Sequence, residues 1–179
     1  EEQKGFQNLL EHCKQNRSNL HLIQIFGNGG VHSIDEHLLK LLPLIPTTQK
    51  TYLHFFWDGR DLPPQSALEL MKKFESWLEN YPHVHIASFW GRYFGMDRDN
   101  NRDRVQKAYD AIAFQKNICE TSVSEYLQKC YTESQGDEFI PPMSFAKGEP
   151  IEKNDGVFFV NFRTDRARQF TQALKVSRN

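Results

Sequence analysis

Five arginines stand just past the ends of hydrophobic runs, and that placement is the first chemical signal in the sequence. Arg60 follows the run Thr51 to Trp57, Arg92 and Arg98 follow Val84 to Phe89, and Arg163 and Arg166 follow Gly156 to Val160. A guanidinium offers a planar fork that meets a carboxylate or phosphate through two parallel charge-assisted hydrogen bonds. Such a set suits an anionic ligand. The plainer alternative is that these arginines pair with nearby aspartates on the surface, as charged clusters near turns often do. Two further residues could move protons. Asp61 directly follows Arg60 in a loop and could act as acid or base on a hydroxyl. His32 lies in the glycine-rich stretch Gly27-Asn28-Gly29-Gly30-Val31-His32-Ser33, after the run Leu20 to Phe26. It could equally cap a helix or satisfy a core carbonyl.

What brings these residues together is the order of elements. Each of the four runs has the length and the β-branched or aromatic content of a strand. Before, between and after them lie stretches with apolar residues at spacings of three and four: about Gln3 to Arg17, Asp35 to Leu42, Ser66 to Asn80, Arg104 to Phe114 and Ser122 to Cys130, with a last helix ending near Val176. Strands alternating with helices predict an α/β fold, an open, mostly parallel sheet with helices on both faces. In such sheets ligands sit outside the carboxyl ends of the strands. If the four runs are parallel, His32, Arg60, Asp61, Arg92, Arg98, Arg163 and Arg166 all leave the same edge. Five cations at one dry edge repel strongly. Flanking aspartates such as Asp58, Asp97 and Asp165, or an anionic ligand, must offset them. A small, multiply charged anion follows, and a phosphorylated carboxylic acid fits it well.

Composition narrows the alternatives. The chain has 179 residues, of which 39% are hydrophobic and 25% charged. On those figures residues 1–179 read as one globular domain. A net charge of −1 gives no general pull toward nucleic acid or a membrane surface. No stretch approaches the roughly 18 apolar residues of a membrane span. Cys13, Cys119 and Cys130 are far apart and form no Cys-x-x-Cys pair, which fits reduced thiols in a cytoplasmic protein. The histidines His12, His21, His37, His54, His83 and His85 show no zinc-ligand spacing, so no metal site is expected within this chain. The Gly27–Gly30 loop lacks a Walker-type Gly-Lys-Ser, and His32 stands where a dinucleotide fingerprint has its third glycine. Phe55, Phe56 and Trp57 read as core.

Four motifs then stand in order: Gly-Gly-Val-His-Ser at 29–33, Asp-Gly-Arg-Asp-x-x-Pro at 58–64, Gly-Arg-Tyr-Phe-Gly-Met-Asp-Arg-Asp at 91–99, and Asn-Phe-Arg-x-Asp-Arg-Ala-Arg-Gln at 161–169. Together they closely resemble the cofactor-independent (2,3-bisphosphoglycerate-independent) phosphoglycerate mutases. The resemblance covers nearly the whole chain but only part of such an enzyme, the substrate-binding domain inserted into an alkaline-phosphatase-like catalytic domain. It implies interconversion of 3-phosphoglycerate and 2-phosphoglycerate in glycolysis and gluconeogenesis through a phosphoserine. That serine and two divalent ions, usually Mn2+ (or Mg2+), are expected in the catalytic domain, which is absent here. Matched position by position, the arginines would hold carboxylate and phosphoryl oxygens. Asp61 would contact the glycerate hydroxyls and His32 would stabilise the transferring group. The resemblance also implies a cytoplasmic monomer whose partner is the catalytic domain of the same polypeptide, with this part alone inactive. An inserted domain further predicts that Glu1 and Asn179 lie near each other.

Three positions depart from the family pattern. Gly27-Asn28 stands where Ser-Asp is usual, Ile34 where a second histidine is usual, and Thr164 where proline or alanine is commoner. Asn28 in place of aspartate removes a negative charge close to His32. Two readings from other classes stay open at this point. One is a stand-alone small phospho-carboxylate-binding module without catalysis; the other is a nucleotide-dependent α/β enzyme, which the glycine pattern disfavours.

Overall fold

The four long hydrophobic runs become four neighbouring parallel strands. In the computed structural model, which describes residues 2–96, 101–164 and 167–176, they are β1 (Leu20–Phe26), β2 (Thr51–Trp57), β3 (Val84–Gly91) and, last in sequence, β6 (Gly156–Phe159). Two short strands, β4 (Ile118–Cys119) and β5 (Met143–Phe145), complete a six-stranded sheet of order β4-β5-β3-β2-β1-β6. β1 pairs in parallel with both β2 and β6, β2 pairs in parallel with β3, and β5 lies antiparallel against β3. The fold is therefore α/β with a mostly parallel sheet, and the two short strands beyond β3 are an addition to the sequence expectation.

Central strands of such a sheet are covered on both sides and so are apolar on both sides. Every residue of β1 and β2 is buried. Successive side chains point to opposite faces, so Leu20, Leu22 and Phe26 join one core while Ile23 and Ile25 join the other. The first core receives Phe6 and Cys13 of α1 (Glu2–Asn16), Leu38 of α2 (Asp35–Leu41), Met71 and Phe74 of α3 (Ala67–Leu78) and Leu127 of α6 (Val123–Thr132). The second receives Val105, Ala108 and Ile112 of α5 (Arg102–Phe114) and Phe170 of α7 (Arg168–Val176). A single turn, α4 (Arg92–Gly95), follows β3 directly.

Helix ends explain where the chain turns. α6 starts with a capping box, in which the Ser122 hydroxyl accepts from the Glu125 N–H and the Glu125 carboxylate accepts from the Ser122 N–H. α3 has no local side-chain cap. Its first N–H groups are orphans of the helix start. Those of Ser66 and Ala67 donate instead to the buried carboxylate of Asp137 at 2.8 and 3.0 Å, seventy residues further along.

One polar line crosses the second face of the sheet. Ser88 Oγ on β3 lies 2.6 Å from His54 Nδ1 on β2, His54 Nε2 lies 2.9 Å from His21 Nδ1 on β1, and His21 Nε2 lies 3.2 Å from Asp155 Oδ2. All four side chains are essentially buried. A polar group in a core costs several kcal/mol unless it is hydrogen-bonded, and here each completes its neighbour.

Candidate functional site

The order β3-β2-β1-β6 reverses direction between β1 and β6, and such a reversal opens a crevice at the carboxyl ends of the strands. The loop after β1 and the loop after β6 face each other there. Their main chains are tied: the N–H groups of Phe162 and Arg163 both donate to the His32 carbonyl, at 3.2 and 3.3 Å. The first loop is anchored from behind as well. Gly27, at φ +141°, donates its N–H to Asp35 at 2.6 Å, and Ser33 is buried with its hydroxyl turned to the Ile25 carbonyl. His32 itself is 3% exposed.

The loop after β2 folds back on its own carboxylate. Asp58 Oδ1 accepts the N–H of Arg60 at 3.3 Å and that of Asp61 at 3.1 Å. This is the local bonding that makes aspartate a turn residue. Gly59, at φ +60°, supplies the left-handed residue the turn needs. Arg92, the first residue after β3, reaches into this turn. Its Nη1 donates to Asp58, and also to Asp61 Oδ2 at 3.0 Å, while its Nη2 lies 3.4 Å from His32 Nε2. His32 Nε2 is in turn 3.8 Å from Asp61 Oδ2. Residues from three loops thus meet directly.

Burial and charge give each member a character. Arg92 and Asp58 are buried, whereas the Asp61 side chain remains 35% exposed. Burial by itself would push the Asp58 carboxyl up. The Asp61 N–H, the charge and hydrogen bond of Arg92 and the Arg60 N–H together outweigh it and hold the group below the usual carboxylate range. A guanidinium can only donate. Its contact with His32 Nε2 is therefore attractive when that nitrogen carries the lone pair, with the ring proton on Nδ1. At Asp35, burial wins over the Gly27 N–H and pushes the carboxyl up to about 6.

Of the residues singled out in the sequence, His32, Asp61 and Arg92 come together by direct contact. Arg163 joins through its main chain, with an exposed side chain. Arg60 is also exposed, its Nε 3.8 Å from Glu138 Oε1. Arg98 and Arg166 lie outside the described residues, as do Asp97, Asp165, Glu1 and Asn179. Asp58, noted in the sequence only as a neutralising neighbour, is a structural centre of the cluster. Asp137 and Glu138 carry no signal of their own in the sequence; the glycines at 59 and 91, which leave room for them, are the only sign. Among the described residues no group of three His, Cys, Asp or Glu side chains could hold a metal ion.

The sequence matches the family described as BPG-independent PGAM N-terminus over residues 1–179. The chain belongs to that family. Its relatives include the 2,3-bisphosphoglycerate-independent phosphoglycerate mutase of Mycoplasma genitalium, 43% identical over 176 residues, covering 96% of this chain and 34% of the relative. The enzyme of the same name from Francisella philomiragia is 40% identical over 178 residues, covering 96% and 35% respectively. A crystal structure of Leishmania mexicana phosphoglycerate mutase, determined at low cobalt concentration, superposes with a TM-score of 0.84 at 29% identity, over 94% of this chain and 34% of that one. The chain spans about a third of the length of the curated relatives it matches. No helix among the described residues is long and apolar enough to cross a membrane.

Proposed function

We propose that this chain is the substrate-binding domain of a cofactor-independent phosphoglycerate mutase, serving the interconversion of 3-phosphoglycerate and 2-phosphoglycerate in cytoplasmic glycolysis and gluconeogenesis. The supporting observation is the meeting of His32, Asp61 and Arg92 at one strand edge, each from a separate family-like motif. The phosphoryl-accepting serine and two divalent cations, Mn2+ or Mg2+, belong to a phosphatase-like domain of the same polypeptide. No residue of this chain is assigned to them, and when bound they would supply the nucleophile and the charge that stabilises phosphoryl transfer.

This chain's contribution is to bind and orient. Arg60 and Arg163, exposed at the rim, would take the carboxylate and phosphoryl oxygens through their forks. Arg98 and Arg166 would add to them. Arg92 is committed to Asp58 and Asp61, so its main task is to hold those carboxylates and His32 in register, leaving one edge to the ligand. Asp61, half-turned to solvent, would accept a hydrogen bond from a glycerate hydroxyl and receive its proton as that oxygen takes up the phosphoryl group. His32 would stabilise the group in transit. Closure of the two domains would exclude water, so that transfer back to glycerate outruns hydrolysis.

The test is an assay of the intact polypeptide, with its flanking sequence, for conversion of 3-phosphoglycerate without added 2,3-bisphosphoglycerate. Turnover that depends on a divalent cation supports the reading. A polypeptide that binds 3-phosphoglycerate in calorimetry yet never converts it would favour a non-catalytic binding module. One that neither binds nor converts it ends the reading.

A further inference from the structure

The segment from Asp137 to Ile140 touches two rim loops at once. A Cβ added to Gly59 would collide with the main-chain nitrogen of Glu138 and come within 2.9 Å of the Asp137 carbonyl carbon. A Cβ added to Gly91 would collide with the Glu138 carbonyl. The Gly91 N–H donates to the Ile140 carbonyl at 2.9 Å. The main chain of Glu138 therefore lies against the residue just before Arg60 and the residue just before Arg92. No side chain intervenes.

This segment is fixed from behind. Asp137 is fully buried and collects the N–H groups of Ser66 and Ala67 together with the Tyr131 hydroxyl. Its own N–H donates to the Pro64 carbonyl at 2.7 Å. On the rim side, the Phe139 ring packs on Tyr93 with centroids 5.2 Å apart. The backbone from which the Glu138 side chain starts is therefore already fixed, so pairing costs side-chain entropy but no further backbone entropy.

The partner is Arg60. Glu138 Oε1 approaches its Nε at 3.8 Å, with the Glu138 side chain 23% exposed and that of Arg60 59% exposed. Nε lies on the side edge of a guanidinium. The end-on fork of Nη1 and Nη2, the edge suited to a carboxylate or phosphate, has no protein partner among the described residues. A carboxylate on the side edge turns the fork outward and offsets part of the positive charge while the site is empty.

We propose that Glu138 is a positioning residue for Arg60, holding the side edge of the guanidinium so that its end-on fork meets the anionic ligand. The inference rests on the assignment of Arg60 to ligand binding made above. Glu138 acts only through Arg60, and Asp137 is the anchor that keeps it in place.

A double-mutant cycle in the intact polypeptide tests this, using E138Q, R60A and the pair together. E138Q keeps the shape and removes the charge. Expected is a rise in KM for 3-phosphoglycerate of about two- to fivefold, the range of a partly exposed ion pair, with kcat nearly unchanged and no shift in melting temperature. In the R60A background E138Q should add nothing. An equal loss in both backgrounds would overturn the proposal. A second reading does not depend on turnover: with arginine-labelled protein, the Arg60 Nε–H resonance should change its chemical shift in E138Q, because the carboxylate charge 3.8 Å from that nitrogen is removed. An unchanged resonance also overturns it. If the wild-type polypeptide shows no mutase turnover, the assignment of function fails, and the resonance comparison alone decides whether Glu138 holds Arg60.

Discussion

Arg92 Nη1 lies 3.0 Å from Asp61 Oδ2, joining the first residue after β3 to a loop residue after β2. The same nitrogen serves the buried Asp58. Asp58 is thus the inner partner of the cluster and Asp61 the outer one, and only the outer carboxylate is open enough to exchange Arg92 for a ligand hydroxyl. Buried ion pairs of this kind are poor sources of net stability, yet removing one member leaves a charge stranded. Here the stranded charge would be that of Arg92.

Replacement of Asp58 by alanine should therefore destabilise the fold by about 3 kcal/mol, because Arg92 keeps only a partly solvated partner and the Arg60–Asp61 turn loses its acceptor. Urea denaturation at neutral pH measures this. The pH dependence has a defined sign. The Asp58 carboxyl is held below its ordinary value in the fold, so its contribution is fully present above the unfolded pKa of about 3.9. It disappears as pH falls through the depressed folded value.

Arg60 and Arg163 are exposed rather than buried, and their loss should spare the fold. Alanine at either position in the intact polypeptide should weaken the apparent affinity for 3-phosphoglycerate by about 1.5 to 3 kcal/mol per lost charged hydrogen bond. Steady-state kinetics give the outcome. Unchanged KM and turnover in both variants would remove these arginines from the site.

The long elements were legible in the sequence because each is stated locally. Leu20–Phe26 and Thr51–Trp57 are unbroken apolar runs, and their burial on both faces follows from that. The strands Ile118–Cys119 and Met143–Phe145 are too short to carry a pattern; pairing with β3 and with each other creates them. The site divides in the same way. Arg60, Asp61 and His32 announce themselves by type and position, whereas Glu138 matters only because two distant glycines let its backbone approach. His21 and His54 look like isolated histidines until adjacent strands set them on one face as diagonal neighbours, with Tyr52 and not His54 opposite His21, thirty-three residues apart in sequence.

Two buried titrating groups should tilt stability in opposite directions on the acid side of neutrality. Burial, with the nearby His21 ring adding to it, keeps His54 well below its ordinary value. Its ring faces Ser88 Oγ on one side and His21, backed by Asp155, on the other. A histidine held neutral in the fold contributes stability that is complete above an unfolded pKa of about 6.5 and declines as pH drops below it. Asp35 runs the other way: with its folded pKa pushed up to about 6, the fold binds the extra proton, and stability falls as pH rises from about 4 to about 6. Denaturation midpoints across this range should show D35N lacking the falling component and H54Q lacking the rising one. Identical profiles in wild type and both variants would contradict the two assignments.

The close approach of the Asp137–Glu138 backbone to two loops predicts a sharp difference among glycine substitutions. Gly91→Ala places a methyl into the Glu138 carbonyl, main chain against main chain, where no side chain can swing away. About 1 to 3 kcal/mol of overpacking cost is expected. Gly59→Ala meets the same segment and adds the strain of a left-handed residue, so it should cost more. Gly5 in α1 has nothing within 4 Å of its added Cβ. Alanine there should stabilise by about 0.4 to 1 kcal/mol. Thermal and urea unfolding of the three variants rank them. Because the collision at Gly91 pushes on the residue before Arg92, that variant should also lose turnover in the intact polypeptide at temperatures where it remains folded. A folded G91A enzyme with full activity would show that the spacing between the two loops does not matter to the site.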